Sequence, residues 1–378
     1  MMDRHGKNRR SLLLGGGACT LAGLIGGFSL NRSWLDPIGA QPSGVLLLSR
    51  LSQNGRGRLL IAYDPATNTE RELEAESGTS FLSIVPAPDQ QHVALLKRVS
   101  RGSMPTDSIV VYDRATLTKR ALVETQIAFQ RVPTYMLSWE ANMRRVAVPY
   151  NNAGRTLIYN VRPEQIGLQG MFDRAFFQFH PTKAGVALYE SSSDAEIAVI
   201  GEALTEREHP IEQIAGMEAR WSPNGQWLAY QSKPSKQANQ GSALIIRNEQ
   251  RPSEQRELAL KPLFKVWSPD SRSMALYSLG KRDPLGIERY LPRDWIPGYQ
   301  PNQITPHLLI YDPVHNELNS IGAIPAGFQI AKLLWLNQDW LLVASVNPHE
   351  SFLIDRHGQH QQRLSINESS PILAWITR

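Results

Sequence analysis

Cysteine is almost absent: Cys19 is the single one in 378 residues. It lies in an apolar N-terminal run, so once that leader is removed the chain offers no disulfide, zinc–thiolate site or cysteine nucleophile. Charge of one sign is scarce as well. The net charge of +5 is misleading, because residues 1–32 hold five basic side chains (Arg4, Lys7, Arg9, Arg10, Arg32) and one acid, Asp3. The other 346 residues carry 35 basic and 34 acidic side chains. So neutral a body lacks the broad cationic surface of a nucleic-acid-binding protein. No G-x-S-x-G, H-E-x-x-H or G-x-x-x-x-G-K occurs, and no Asp-rich calcium loop. A nucleophile elbow, a helix-borne zinc pair and a phosphate-cradling loop are therefore not expected. His357 and His360 flank a turn but are too few for a metal site, which usually takes three or four ligands. No cofactor and no metal are expected.

An export leader is present. Residues 3–10 are polar and basic, and Ser11 to Leu30 form an uncharged, glycine-rich apolar run. This is the layout of a signal peptide or an N-terminal membrane anchor, assigned to residues 1–32 and followed by a linker over 33–43. Arg9 and Arg10, followed by Ser11-Leu12-Leu13, resemble a twin-arginine signal, which a receptor reads and which exports folded protein. The body is expected in the periplasm or an equivalent lumen.

The body, residues 44–378, is dominated by a repeat. Trp221-Ser222-Pro223-Asn224-Gly225 precedes Leu228-Ala229-Tyr230, and Trp267-Ser268-Pro269-Asp270-Ser271 precedes Met274-Ala275-Leu276-Tyr277. Weaker copies centre on Ala94, Ala147, Ala187 and Val343. Most intervals lie close to the ~40–45 residues of a propeller blade. Proline fixes φ, Asx favours the turn and glycine permits positive φ, so the frame is a tight hairpin. The aromatic residue ends an inner strand and wedges between neighbouring blades. A second pattern follows each frame, an apolar strand ending in a polar turn: Leu60-Ile61-Ala62-Tyr63-Asp64, Val110-Val111-Tyr112-Asp113 and Leu309-Ile310-Tyr311-Asp312. Seven such outer hairpins stand against six inner frames. The seventh inner strand is supplied by Ile372-Leu373-Ala374-Trp375, which matches Lys332-Leu333-Leu334-Trp335. The expected fold is an all-β, seven-bladed β-propeller closed by the C-terminal strand.

The W-S-P-[ND]-G frame with its Tyr-Asp hairpin resembles the repeats of TolB-like propellers, periplasmic relatives of WD-repeat proteins. The resemblance covers about residues 44–377 and implies the fold, while such propellers serve many roles. The family's namesake carries an additional N-terminal domain, for which only about a dozen residues stand here between leader and first strand.

One segment interrupts the repeat. Between Tyr277 and Leu308 the chain inserts about 28 residues (279–306), including Arg282, Tyr290, Pro292, Arg293, Trp295, Pro297 and Tyr299. They join the second and third strands of a blade, on the face that usually binds partners. Aromatic and Arg residues are typical interface anchors. The loops of that face carry a mild positive bias, with Arg98 and Arg101 in the first two blades. The expected binding residues are Arg282, Tyr290, Arg293, Trp295, Tyr299, Arg98 and Arg101. The expected function is a monomeric, non-catalytic binding or scaffolding module of the cell envelope, its partner an envelope protein or an anionic envelope component, with no nucleic acid. The alternative is a propeller hydrolase or lyase acting on carbohydrate or a small molecule at the central channel. For it the first acid–base candidates are Glu218 with Arg220, or Asp173 with Arg174, and the inner strands also carry Lys265 and Lys332. The tryptophans at 139, 221, 267, 335 and 375 are expected to pack blades.

Overall fold

The structure is a computed structural model. It describes residues 43–377, apart from 53–54, 56, 76–77, 90, 102–103, 126–136, 151–154, 163–164, 173–175, 191–196, 203–209, 233–242, 281–304, 324–328, 348–349, 365 and 367–371. The chain divides into Met1–Pro37 and the unit Ile38–Arg378 described here. The leader, with Arg9, Arg10 and Cys19, lies outside the described residues.

The second unit is all-β. Its described residues contain no α-helix and form antiparallel sheets. The first sheet holds β1 (Gly44–Leu51), β2 (Arg58–Asp64) and β3 (Thr69–Ala75), with β27 (Ile372–Thr377) on the far side of β1. Trp375 pairs with Leu46 and Ala374 with Leu47, so the C-terminal strand sits where its sequence match places it. The second sheet holds β4 (Thr79–Pro86), β5 (His92–Arg101), β6 (Met104–Asp113) and β7 (Lys119–Thr125) in order. The third holds β8 (Ser138–Trp139), β9 (Arg145–Tyr150), β10 (Arg155–Asn160) and β11 (Gly167–Phe172).

Two units of the repeat then merge. β12 (Phe177–Phe179), β13 (Val186–Glu190), β14 (Ile197–Glu202), β15 (Pro210–Trp221), β16 (Trp227–Ser232), β17 (Leu244–Asn248) and β18 (Gln255–Leu258) form one seven-stranded sheet. β15 is the outermost strand of one unit and the innermost of the next, running through without a break. The repeat predicts two separate sheets here. The close approach of Gly216 to Tyr230 and Gln231 explains how the chain crosses: a Cβ there would lie 2.4 Å from Tyr230 Cδ2 and 2.8 Å from the Gln231 carbonyl oxygen. The remaining sheets hold β19 (Pro262–Trp267), β20 (Met274–Gly280), β21 (Thr305–Asp312) and β22 (Glu317–Ala323), then β23 (Gln329–Trp335), β24 (Trp340–Asn347), β25 (Ser351–Asp355) and β26 (Gln361–Arg363).

Burial explains the sequence pattern. Second and third strands are apolar on both faces because a sheet packs on each side. Val45–Leu48, Val93–Leu96 and Leu157–Tyr159 are all buried, whereas β3 and β18 are largely exposed and charged. Apolar clusters join each unit to the next, and one of them joins β24 and β25 to β1 and β2 through Leu342, Leu353, Leu46, Leu48 and Tyr63. Each fully buried Leu or Ile contributes about 1.5–3 kcal/mol. The wedge tryptophans add directed bonds. The indole N–H of Trp139 donates to the Val85 carbonyl (3.2 Å), that of Trp267 to Arg220 (3.4 Å) and that of Trp335 to Val266 (3.0 Å). Each bond ties an inner strand to the inner strand before it.

The outer hairpins share one device. Asp64 Oδ1 accepts the Ala66 N–H at 2.9 Å, and Asp312 Oδ1 accepts those of Val314 and His315 at 2.8 and 3.0 Å. The preceding tyrosine hydroxyl donates to the residue that leaves the turn: Tyr63 to Asn68 (3.0 Å) and Tyr311 to Asn316 (2.8 Å). Asn68 and Asn316 have φ of 53° and 56°, a region Asn tolerates better than most side chains.

Candidate functional site

Among the described residues the inner strand β15 has an unusual backbone. Its ladder with β16 slips between the Met217–Gln231 and Arg220–Ala229 pairs, leaving Glu218 and Ala219 bulged. Glu218 has φ of 52°. The other described non-glycine residues with positive φ (Asn68, Leu117, Met143, Ser271 and Asn316) lie between strands, so Glu218 alone adopts it within one. That conformation costs on the order of 1–3 kcal/mol for a non-glycine residue and clusters at sites of function. Bulges also re-aim side chains.

The bulge turns the Glu218 carboxylate outward, where its side chain is 66% exposed and accepts a hydrogen bond from Lys265 Nζ at 2.9 Å. Lys265 is on β19 of the next sheet, and its own side chain is only 7% exposed. Burial lowers the Lys265 pKa below the ordinary lysine value; Glu218 opposes the shift and the Arg220 charge reinforces it. The Arg220 guanidinium carbon lies 4.8 Å from the centroid of the Phe176 ring, a cation–π contact. Leu263, two residues before Lys265, is exposed despite its apolar side chain. One carboxylate, two cations and the apolar ring of Phe176 thus lie along β15 and β19 and the flank of β12. The formal charges of these three described side chains sum to +1, and guanidinium and ammonium groups suit carboxylate or phosphate oxygens. Lys332 lies on β23, the next inner strand, where burial lowers its pKa to about 8. It packs toward a different pair of sheets, since it pairs with Ala344 of the cluster shared with β1.

Of the residues singled out from sequence, the structure joins Glu218 and Arg220 into this cluster. Asp173 and Arg174 lie outside the described residues, as do Arg282, Tyr290, Arg293, Trp295 and Tyr299. The last five belong to the segment joining β20 to β21, the connection expected of them. Arg98 is held within its own sheet: its Nε and Nη2 donate to the two carboxylate oxygens of Asp107 at 2.7 and 2.9 Å. Asp107 is fully buried and sits directly opposite Arg98 in the ladder, so that charge is matched. Arg101 ends β5, opposite Met104. His360 Nδ1 lies 2.6 Å from Asp355 Oδ2, within its own hairpin. Among the described residues no group of three His, Cys, Asp or Glu side chains could hold a metal ion.

Sequence inspection missed the Lys265–Glu218 bond, although the repeat carried a signal. The position two before the frame's aromatic residue reads Leu137, Phe177, Ala219, Lys265 and Leu333, with one charge among apolar residues. The 47-residue spacing of Glu218 and Lys265 recurs in the Arg220–Trp267 and Asn224–Ser271 contacts between the same two sheets.

No protein-family model and no curated protein matches the sequence. Solved structures do resemble it. Oligogalacturonate lyase in complex with manganese aligns at a TM-score of 0.55 and 11% identity, over 82% of this chain and 85% of that one. The periplasmic gluconolactonase of Pseudomonas aeruginosa aligns at 0.53 and 13% identity, over 88% and 99%. A chain of the mitotic checkpoint complex aligns at 0.50 and 13% identity, over 89% and 100%. At these identities the likeness establishes the fold: the chain is an all-β protein of the β-propeller class.

Proposed function

We propose that the chain is an exported, seven-bladed β-propeller, closed by its C-terminal strand, that acts in the cell envelope by binding an anionic ligand at Glu218, Arg220 and Lys265. Ring closure is supported by the pairing of β27 with β1 and by the apolar cluster between β24–β25 and β1–β2. The binding role rests on one observation. Among the described non-glycine residues Glu218 is the one held within a strand at positive φ, and its carboxylate is exposed. Arg220 and Lys265 then offer two donors to an oxyanion while Glu218 selects against a second one or accepts a hydroxyl. A periplasmic or equivalent lumenal location is part of this proposal, supported by the TolB-like resemblance of the repeat and the twin-arginine-like leader. The segment around Trp295 serves as a separate docking loop, with Arg282, Tyr290, Arg293 and Tyr299 as its other anchors and Arg101 at the loop-facing end of β5.

A second reading, a hydrolase or lyase at the channel, is favoured by the same exposed Glu218 next to a lysine of lowered pKa. The relatives in fold include a lyase and a lactonase by name. Titration calorimetry with D-galacturonate and with inorganic phosphate separates the readings. Binding of either, weakened about tenfold by Arg220→Ala, supports the binding site. Turnover of galacturonate oligomers that is lost in Glu218→Gln, with binding retained, establishes the enzyme. Equal binding by wild type and Arg220→Ala, with no turnover, removes the cluster from the functional account.

A further inference from the structure

We propose that the outer edge of the third sheet is a membrane-contact surface that rests on anionic lipid headgroups. The outer strands are exposed, and most carry charge that blocks unwanted pairing: Thr69–Ala75 includes four charged residues, and Gln255–Leu258 includes two. β11 reads GLQGMF and has none. Its ladder with β10 slips between the Ile158–Gly170 and Tyr159–Leu168 pairs, leaving Gln169 bulged. That slip brings Leu168 and Met171 to the same face, and Ile166 stands just before the strand. All three are exposed, at 44%, 55% and 53% for Ile166, Leu168 and Met171, while Gly167, Gly170 and Phe172 are half-buried on the other face. Three of the seven large exposed apolar side chains of the described residues therefore lie together. Scattered exposed apolar residues are ordinary; a contiguous set on an uncharged edge is not.

The surroundings identify the occupant. Arg162 is exposed in the turn before β11, and Arg144 is exposed in the neighbouring turn, where the Val161 N–H donates to its carbonyl. Arg155 Nη1 lies 3.8 Å from Met171 Sδ, so a third guanidinium borders the patch. Glu140 and Arg145 of the same hairpin are bonded to each other; Glu164, between β10 and β11 in sequence, lies outside the described residues. Apolar side chains rimmed by arginines fit the boundary between acyl chains and anionic headgroups. The sequence adds a reason for proximity. Ser11–Leu30 is long enough to stay in a bilayer, and residues 31–43 reach at most about 45 Å from it. One weak surface contact added to a tether gives the two-signal arrangement that holds proteins at membranes.

The experiment is amide hydrogen exchange on the full-length chain, mixed with phosphatidylcholine vesicles or with the same vesicles enriched in phosphatidylglycerol. The leader contributes in both mixtures, so the difference reads the patch. Exchange over 166–172 is expected to slow by about fivefold or more on the anionic vesicles, and Arg144→Ala with Arg162→Ala to remove most of that slowing. Leu168→Asp with Met171→Asp is expected to abolish it at an unchanged melting temperature, since both side chains are exposed. Equal exchange in the two mixtures overturns the proposal. So does slowing that grows with protein concentration in the absence of vesicles, which would assign the edge to a second copy of the chain.

Discussion

A single imidazole shows how the repeat adapts its parts. His180 stands where other frames have Ser222 and Ser268, and its Nδ1 accepts the N–H groups of Thr182 (3.2 Å) and Lys183 (3.0 Å). The serines use Oγ in the same hairpin to accept the Trp227 and Ser273 N–H groups at 2.9 Å. Protonating His180 would end this acceptance inside a buried site, and burial with the nearby Lys183 charge lowers its pKa to about 4. The unfolded chain, with a histidine near 6.5, then binds the extra proton first. Stability is therefore expected to be complete above pH 6.5 and to fall as pH drops toward 4. Urea unfolding of wild type and His180→Asn across that window checks it: the variant should lose much of the acid sensitivity. Gly216 is a second residue with a defined role. Gly216→Ala places a Cβ against the Gln231 carbonyl, which belongs to a ladder and cannot move freely. A loss of roughly 1–3 kcal/mol in unfolding free energy is expected, and a neutral result would show that β15 relaxes.

At the scale of elements, the outer hairpins depend on carboxylates that replace backbone partners. Asp312 accepts two turn N–H groups through one oxygen, and its other oxygen lies 2.8 Å from His315 Nδ1. Asp312→Ala should cost about 1 kcal/mol by leaving those donors to water, whereas Asp312→Asn should recover most of it. Thermal melting of the two variants decides. The inner strands depend instead on the indole bonds between sheets. These devices were legible because they are local: the turn chemistry and aromatic wedge must recur wherever a unit begins. The uninterrupted β15 was not legible. Nothing in Pro210–Trp221 announces that one strand serves two units, because this follows from how the neighbouring sheets approach near Gly216.

For the whole molecule, the arrangement of β27 beside β1 has a direct consequence. Deleting residues 368–378 removes β27, bares the edge of β1 and uncovers Val45, Leu46 and Leu47 beside it. A large drop in melting temperature with aggregation is expected. A truncated chain that melts like the intact one would sink the closed-ring proposal. Replacing Arg9 and Arg10 with Lys should leave folded protein in the cytoplasm, as cell fractionation would report; unchanged export would reduce the leader to a general signal.

The sequence alone determined the all-β class, the unit length, the hairpin positions and the inner strand supplied by the C-terminus. Each of these repeats, and each is enforced by local rules: proline and Asx at turns, apolar runs where sheets cover both faces, charge at the outer edge. The sequence named Glu218, Arg220 and Lys265, and tertiary structure decided that they meet. Glu218, Arg220, Lys265 and Phe176 come from three inner-strand regions, and their meeting depends on sheet packing. It depends also on a bulge that holds Glu218 at a φ its sequence does not favour. The pairing of Arg98 with Asp107 was decided in the same way, by cross-strand register, which turned a cation expected to meet a partner into half of an internal ion pair. Period and composition fix what a segment becomes, because those forces act within a few residues; which charges face solvent, and which face each other, is set by contacts between residues tens of positions apart.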